Sequence, residues 1–296
     1  MKIEKIADYA CNTGEGCIWH PLEKAVYWTD IPAGKFFRYD PKTNTHKQVY
    51  EGRQVAAFTI QADGSMLLFQ DKGTVSLWKD GKIAKTIVED IPLERDTRFN
   101  DVCACPEGRV YCGTMPVRTP EKVILRDAKL YRLDRDASIH QVLAGIHNSN
   151  GSGFSPDQKT FFYTDTGMGI IYRFDYDRAS GELTRQRNFT MVPPAPASEG
   201  KPDGMTVDAE GNVWGARWGG GCVVCYGPDG VEKFRVKLPT PHTSCPCFGG
   251  ENLDELYVTT AGGHERDKLG PDAGALFRIT GLNAKGKPEH FSRVGI

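Results

Sequence analysis

The chain has 296 residues, with 37 Lys and Arg against 38 Asp and Glu and a formal net charge of −1. Near-neutrality without a basic stripe removes the electrostatic term that dominates nucleic-acid binding, so no nucleic-acid partner is expected. No run of about 18 apolar residues offers a membrane span, and no apolar signal segment follows Met1-Lys2-Ile3-Glu4. A cytoplasmic protein with no membrane partner is the expectation.

In chain order, residues 3–9 are a candidate strand, and from residue 23 onward a polar turn leading into a β-prone run recurs through the chain. It occupies residues 23–30, 63–69, 106–114, 156–165, 210–214 and 253–259. After each comes a second run with an aromatic or apolar beat, at residues 37–40, 75–78, 130–134, 171–175, 223–226 and 276–279. The runs are short, rich in Val, Tyr, Phe and Trp, and bounded by Asp-Gly, Glu-Gly or Pro-Asp turns, which reads as antiparallel hairpins. A period on the order of 40 to 50 residues is that of a four-stranded propeller blade. Six pairs therefore predict an all-β, six-bladed β-propeller of four-stranded antiparallel blades in one domain, residues 1–296, with residues 3–9 completing the last blade. A β-sandwich has no reason to repeat the pair at a steady interval.

Three fragments outside these runs each place an oxygen ligand beside glycine: Gly14-Glu15-Gly16, Ser149-Asn150-Gly151 and Pro202-Asp203-Gly204-Met205. A residue without Cβ lets the backbone turn sharply or approach a ligand closely. Two carboxylates and an amide, with no His or Cys, suit a hard cation such as calcium or magnesium better than a closed zinc site; manganese or water-supplemented zinc stays open. One divalent ion at the centre of the propeller is the reading. Residues 192–200 form a Pro-rich loop leading into the Asp203 fragment, a candidate rim or lid. Gly219-Gly220-Gly221 precedes a strand and so reads as a tight turn, without the helix that a phosphate-cradling loop needs.

The nine cysteines are an odd number in a chain long enough to bury a core, which favours reduced thiols. Cys222 and Cys225 stand an odd step apart in a predicted strand, so their side chains should face opposite sides. That argues against a zinc set with Cys245 and Cys247. His20, His147, His242 and His264 have no serine in a nucleophile-elbow context, which makes a Ser-His-Asp hydrolase improbable.

The Gly-Glu-Gly fragment, Arg98-Phe99-Asn100-Asp101, Gly113-Thr114-Met115, Ser149-Asn150-Gly151, Pro202-Asp203-Gly204-Met205 and Cys247-Phe248-Gly249-Gly250, in this order, resemble the senescence marker protein, gluconolactonase and luciferin-regenerating enzyme superfamily. Regucalcin and the bacterial sugar lactonases are familiar members. The resemblance implies a propeller with one divalent cation, calcium first among the candidates, in its channel, and hydrolysis of aldonolactones to hydroxy acids. Carried over by motif, Glu15, Asn150 and Asp203 match the metal ligands and Arg98 and Asn100 match substrate-contacting positions, with Asp203 also the candidate general base. Asn148 shares the neighbourhood of Asn150 and competes with it as the amide ligand.

Two positions depart from the family pattern. Cys17 stands where members usually carry proline, and packs behind the ion unless it reaches it. Arg118 stands where some relatives place an acidic substrate contact; pointing into the channel it would favour a lactone bearing a carboxylate or many acceptor oxygens, and otherwise it is a solvated rim residue. The partner expected is a small-molecule sugar lactone, and the state a monomer or small homo-oligomer. The alternatives are a related metal-dependent esterase or phosphotriesterase, and a non-catalytic calcium-binding propeller.

Overall fold

The computed structural model describes residues 1–117, 128–193, 196 and 199–295. After β1 (Lys2–Asp8) come β2 (Gly14–His20), β3 (Ala25–Asp30), β4 (Lys35–Asp40) and β5 (Thr45–Glu51), then β6 (Val55–Ile60), β7 (Met66–Gln70), β8 (Val75–Lys79) and β9 (Lys82–Val88). The next two sets are β10 (Thr97–Ala104), β11 (Val110–Pro116), β12 (Ala128–Leu133) and β13 (Ile139–Ile146), and β14 (Ser149–Phe154), β15 (Thr160–Asp165), β16 (Ile170–Tyr176) and β17 (Leu183–Met191). Last are β18 (Lys201–Val207), β19 (Val213–Trp218), β20 (Cys222–Tyr226) and β21 (Glu232–Lys237), and β22 (Thr243–Gly249), β23 (Glu255–Thr260) and β24 (Ala275–Thr280). They form six four-stranded antiparallel sheets, five of them consecutive and the sixth in the order β1-β24-β23-β22. The N-terminal strand thus pairs with the last, from Lys2 opposite Thr280 to Asp8 opposite Ala275, and ties the two ends of the ring together.

The repeated pairs of the sequence are the second and third strands of each blade. They are apolar at successive positions because both faces of a blade are covered by its neighbours. Tyr27 and Trp28, adjacent in β3, point oppositely: Tyr27 joins Phe58 and Leu68 of the following blade, Trp28 joins Cys247 and Tyr257 of the preceding one. Both are 2% exposed, and truncating either aromatic to Ala would cost about 3–5 kcal/mol. Cys222 and Cys225 likewise lie in different inter-blade cores, as the odd spacing requires.

Among the described residues no helix is long and apolar enough to cross a membrane. Beyond β24 the chain runs across one end of the propeller. The Lys285 carbonyl accepts the Ala209 N–H (2.8 Å), Gly286 N–H reaches Leu253 O (2.7 Å), and Ser292, Arg293 and Gly295 then donate to Ile60, Gly108 and Arg135 on the opposite side. Gln61 clamps the end of this strap by donating to Val294 O (2.7 Å) and accepting the Val294 N–H (3.1 Å).

Candidate metal and substrate site

The innermost strands β2, β6, β10, β14, β18 and β22 all lose register with their partners at one level, at Glu15/Ile18, Val55/Ala57, Phe99/Val102, Asn150/Ser152, Pro202/Met205 and Thr243/Pro246. Bulges re-aim side chains. Those in β2, β10, β14, β18 and β22 turn Glu15, Asn100, Asp101, Asn150, Asp203 and Cys245 toward the channel. The glycines follow from crowding at this level. A Cβ on Gly151 would stand 2.4 Å from Met205 N and 2.7 Å from Asp203 O, and one on Gly204 would stand 2.8 Å from Ser244 O. Gly16 has φ +60°, in the left-handed region.

Entry into two of the three strands that bear the candidate ligands is fixed by one device used twice. Asp30, ending β3, accepts the backbone N–H groups of Asn12 and Thr13, both at 3.0 Å, just ahead of Glu15. Asp165, ending β15, accepts those of His147 and Asn148 at 3.2 and 3.3 Å, just ahead of Asn150.

Glu15, Arg98, Asn100, Asn148, Asn150 and Asp203 line one open cleft of about 300 Å³ with Thr166, Lys201 and Trp218. The residues of the three fragments and the Arg98 motif are therefore brought together. Arg98 Nη1 donates to Phe99 O (2.8 Å) and to Asn100 Oδ1 (2.7 Å), while Asn100 Nδ2 donates to Ser149 O (2.7 Å). Asn150 donates through Nδ2 to Thr166 Oγ1 (3.0 Å) and to Asp203 Oδ1. Its own Oδ1 is buried without a hydrogen-bond partner, as is that of Asn148. An orphaned amide oxygen in a cleft shared with two buried carboxylates fits a cation, which would satisfy it.

Electrostatics point the same way. Burial, with repulsion from Asp203 and Asp101, holds Glu15 well above the usual carboxylate range. Asp203 is raised by burial and by Asp101. Asp101 is pushed up by burial to about 7, and burial pulls Arg98 down to about 10 despite the surrounding carboxylates. Three carboxylates facing one guanidinium leave negative charge that a divalent ion would offset.

Arg118 lies outside the described residues, as does part of the loop at residues 192–200. Cys17 is buried in the core shared with Trp28, its Sγ 2.9 Å from Cys247 Sγ. Trp218 stacks on His242 at the cleft rim, with ring centroids 4.5 Å apart, and Gly219-Gly220-Gly221 is the turn between β19 and β20. Asp101 and Cys245 had no site role on sequence grounds. A bulge that aims two consecutive residues inward leaves no mark in a single sequence.

Fold and site together define a six-bladed propeller with a carboxylate–amide cluster at one channel mouth. The chain belongs to the SMP-30/Gluconolactonase/LRE-like family, matched over residues 13–262. It is similar to a pentonolactonase of Haloferax volcanii, 44% identical over 302 residues and covering 99% of both chains. Human regucalcin is 34% identical over 294 residues, covering 97% of this chain and 96% of that one. Among solved structures, a calcium-binding protein, regucalcin, from Agrobacterium tumefaciens superposes with a TM-score of 0.89 at 26% identity, covering 98% of this chain and 97% of that one.

Proposed function

We propose that the protein is a lactonase that opens sugar lactones to hydroxy acids, and that Glu15, Asn150 and Asp203 hold the divalent cation it needs. The observation that carries this reading is the convergence of those three residues with Arg98 and Asn100 on one cleft, in a chain similar to a pentonolactonase from end to end. These three donors are oxygens, of the kind calcium, magnesium or manganese accepts. When bound, the ion supplies Lewis-acid polarisation of the lactone carbonyl and offsets the buried carboxylates.

The chain's own residues do the rest. Asp203 takes a proton from a water, whose oxygen adds to the carbonyl carbon. The tetrahedral centre then collapses with cleavage of the ring C–O bond, and the departing ring oxygen receives the proton back from Asp203. Arg98 orients the sugar through its forked donors, and its hydrogen bond to Asn100 Oδ1 presets both side chains. Lys201 and Trp218, at the rim of the same cleft, flank the sugar's outer edge.

The test is proton release from a panel of aldono- and aldarolactones by chelator-stripped protein, before and after adding calcium, magnesium, manganese or zinc. Hydrolysis restored by an ion supports the reading. No hydrolysis with any ion, by protein that stays folded and binds metal, overturns it in favour of phosphotriester hydrolysis or calcium binding without catalysis.

A further inference from the structure

The channel does not end at the mouth cleft. Further along the same inner strands lies a small cavity of about 80 Å³, lined by Asp101, Cys103, Cys245 and Cys247 and by Glu289 and His290 of the C-terminal strap. Glu15 lines the cleft, whereas Asp101 and Cys245 line the cavity beneath it. At the partition, one carboxylate oxygen each from Glu15 and Asp101 and the Cys245 Sγ lie within 4.8 Å of one another. Some point is then no more than about 2.8 Å from all three, and small side-chain rotations reach the metal-ligand distances of about 2.0–2.3 Å.

Two further observations distinguish this trio from a chance cluster. Asp101 Oδ2 is buried and takes no hydrogen bond. Cys245 Sγ makes a long contact, 4.0 Å, to the carbonyl of Pro246. Buried free thiols ordinarily pack as small apolar groups, as Cys112 does among Leu67, Phe69 and Val110. Cys245 borders the core that holds Cys17 and Cys247, yet its sulfur also lies within 4.8 Å of a buried Glu15 oxygen and a half-buried Asp101 oxygen, a placement that a neutral thiol gains little from and a bridging cation explains.

We propose that the cation site extends below Glu15 to Asp101 and Cys245, and that Cys245 ligates the ion as a thiolate. Binding releases the thiol proton to solvent as the sulfur–metal bond forms. A thiolate in the set turns preference away from calcium, which takes oxygen donors, toward a thiophilic transition ion such as zinc. This rests on the reading of the channel as a cation site.

Cobalt(II) is the probe. Full-length, chelator-stripped protein, kept reduced with a phosphine, is titrated with cobalt and followed in the near-ultraviolet, where thiolate-to-cobalt charge transfer absorbs. The expected result is one such band saturating at one cobalt per chain, retained in Cys17→Ser and Cys247→Ser and lost in Cys245→Ser. Zinc affinity of Cys245→Ser should fall about 100-fold or more, given that even outer-shell losses cost 10–100-fold, with calcium affinity unchanged. Because the wild-type spectrum is informative alone, a misfolded variant does not blunt the test. Cobalt bound without the band, or a band surviving in Cys245→Ser, overturns the inference and leaves the lactonase reading standing. Calcium binding and hydrolysis with no cobalt binding does the same. Failure to bind any divalent ion overturns both.

Discussion

Asp165 offers the sharpest test of how the fold positions the site, because it touches no proposed substrate or ion yet holds the loop from which Asn150 emerges. Its carboxylate, 4% exposed, accepts the backbone N–H groups of His147, Asn148 and Gly167 at 3.2, 3.3 and 3.1 Å. Hydrogen bonds to a charged acceptor contribute about 1.5–3 kcal/mol each. These are on the long side of the usual range, and N–H groups at a rim regain water, so the low end applies to about two of the three. Asp165→Ala should therefore cost about 2–4 kcal/mol. With an unfolding entropy of about 2.1 cal/mol/K per residue, a chain of this length loses roughly 3–6 °C in Tm. Divalent-ion affinity should fall with it, since the orphaned Asn150 oxygen loses its placement. Calorimetry and ion titration read both effects. Asp157→Ala is the control, for Asp157 caps an exposed turn at the other end of β14, through Ser155 and the Lys159 N–H. An Asp165→Ala protein that melts with the parent and binds the ion as tightly would refute the positioning argument.

Asp30→Ala should reproduce the loss through Glu15, because Asp30 holds Asn12 and Thr13 in the same way; unchanged ion affinity would separate the two blades. Asp203→Ala should abolish both tight ion binding and turnover, measured by titration and proton release, and full activity would sink the assigned role. Arg98→Ala should lower kcat/KM by about 10- to 100-fold, the worth of one or two charge-assisted hydrogen bonds, without weakening ion binding, since it removes a positive charge beside the ion. A collapse of ion affinity instead would reassign Arg98. His290, whose buried Nε2 has no partner and whose ring meets Phe154 edge-on at 6.1 Å, is pulled down by burial from 6.5 to about 4. It is neutral in the folded chain and binds a proton first when unfolded. Stability is therefore full above about pH 6.5 and falls by up to about 3 kcal/mol as pH drops toward 4. His290→Phe should flatten the Tm-versus-pH curve over that window, and an unaltered slope would exclude this source.

The blade count was legible because β3, β7, β11, β15, β19 and β23 and their partners are buried on both faces and read as dense apolar runs. The outermost strands other than β1 were not, since β5 and β9 are largely exposed and carry no dense apolar run. The innermost were hidden for another reason. A strand such as β14, Ser-Asn-Gly-Ser-Gly-Phe, carries small residues because inner strands crowd at the axis, and small polar residues imitate a loop. Glu15, Asn150 and Asp203 stood out through the glycines beside them, and the structure explains those glycines by the approach of the next inner strand.

From the sequence alone came the six-fold repeat, the N-terminal strand closing the last sheet, the three oxygen donors, and the separation of Cys222 from Cys225. These depend on periodicity and on local backbone demands, which act within a few residues. Tertiary structure decided that Asp101 and Cys245 meet Glu15 below the cleft, that Asp30 and Asp165 hold the chain entering the strands of Glu15 and Asn150, and that the C-terminal strap lines the far cavity. Those contacts join residues many tens of positions apart, and aligned bulges in separate sheets set their geometry. Nothing local in the chain encodes the level at which six strands break register together.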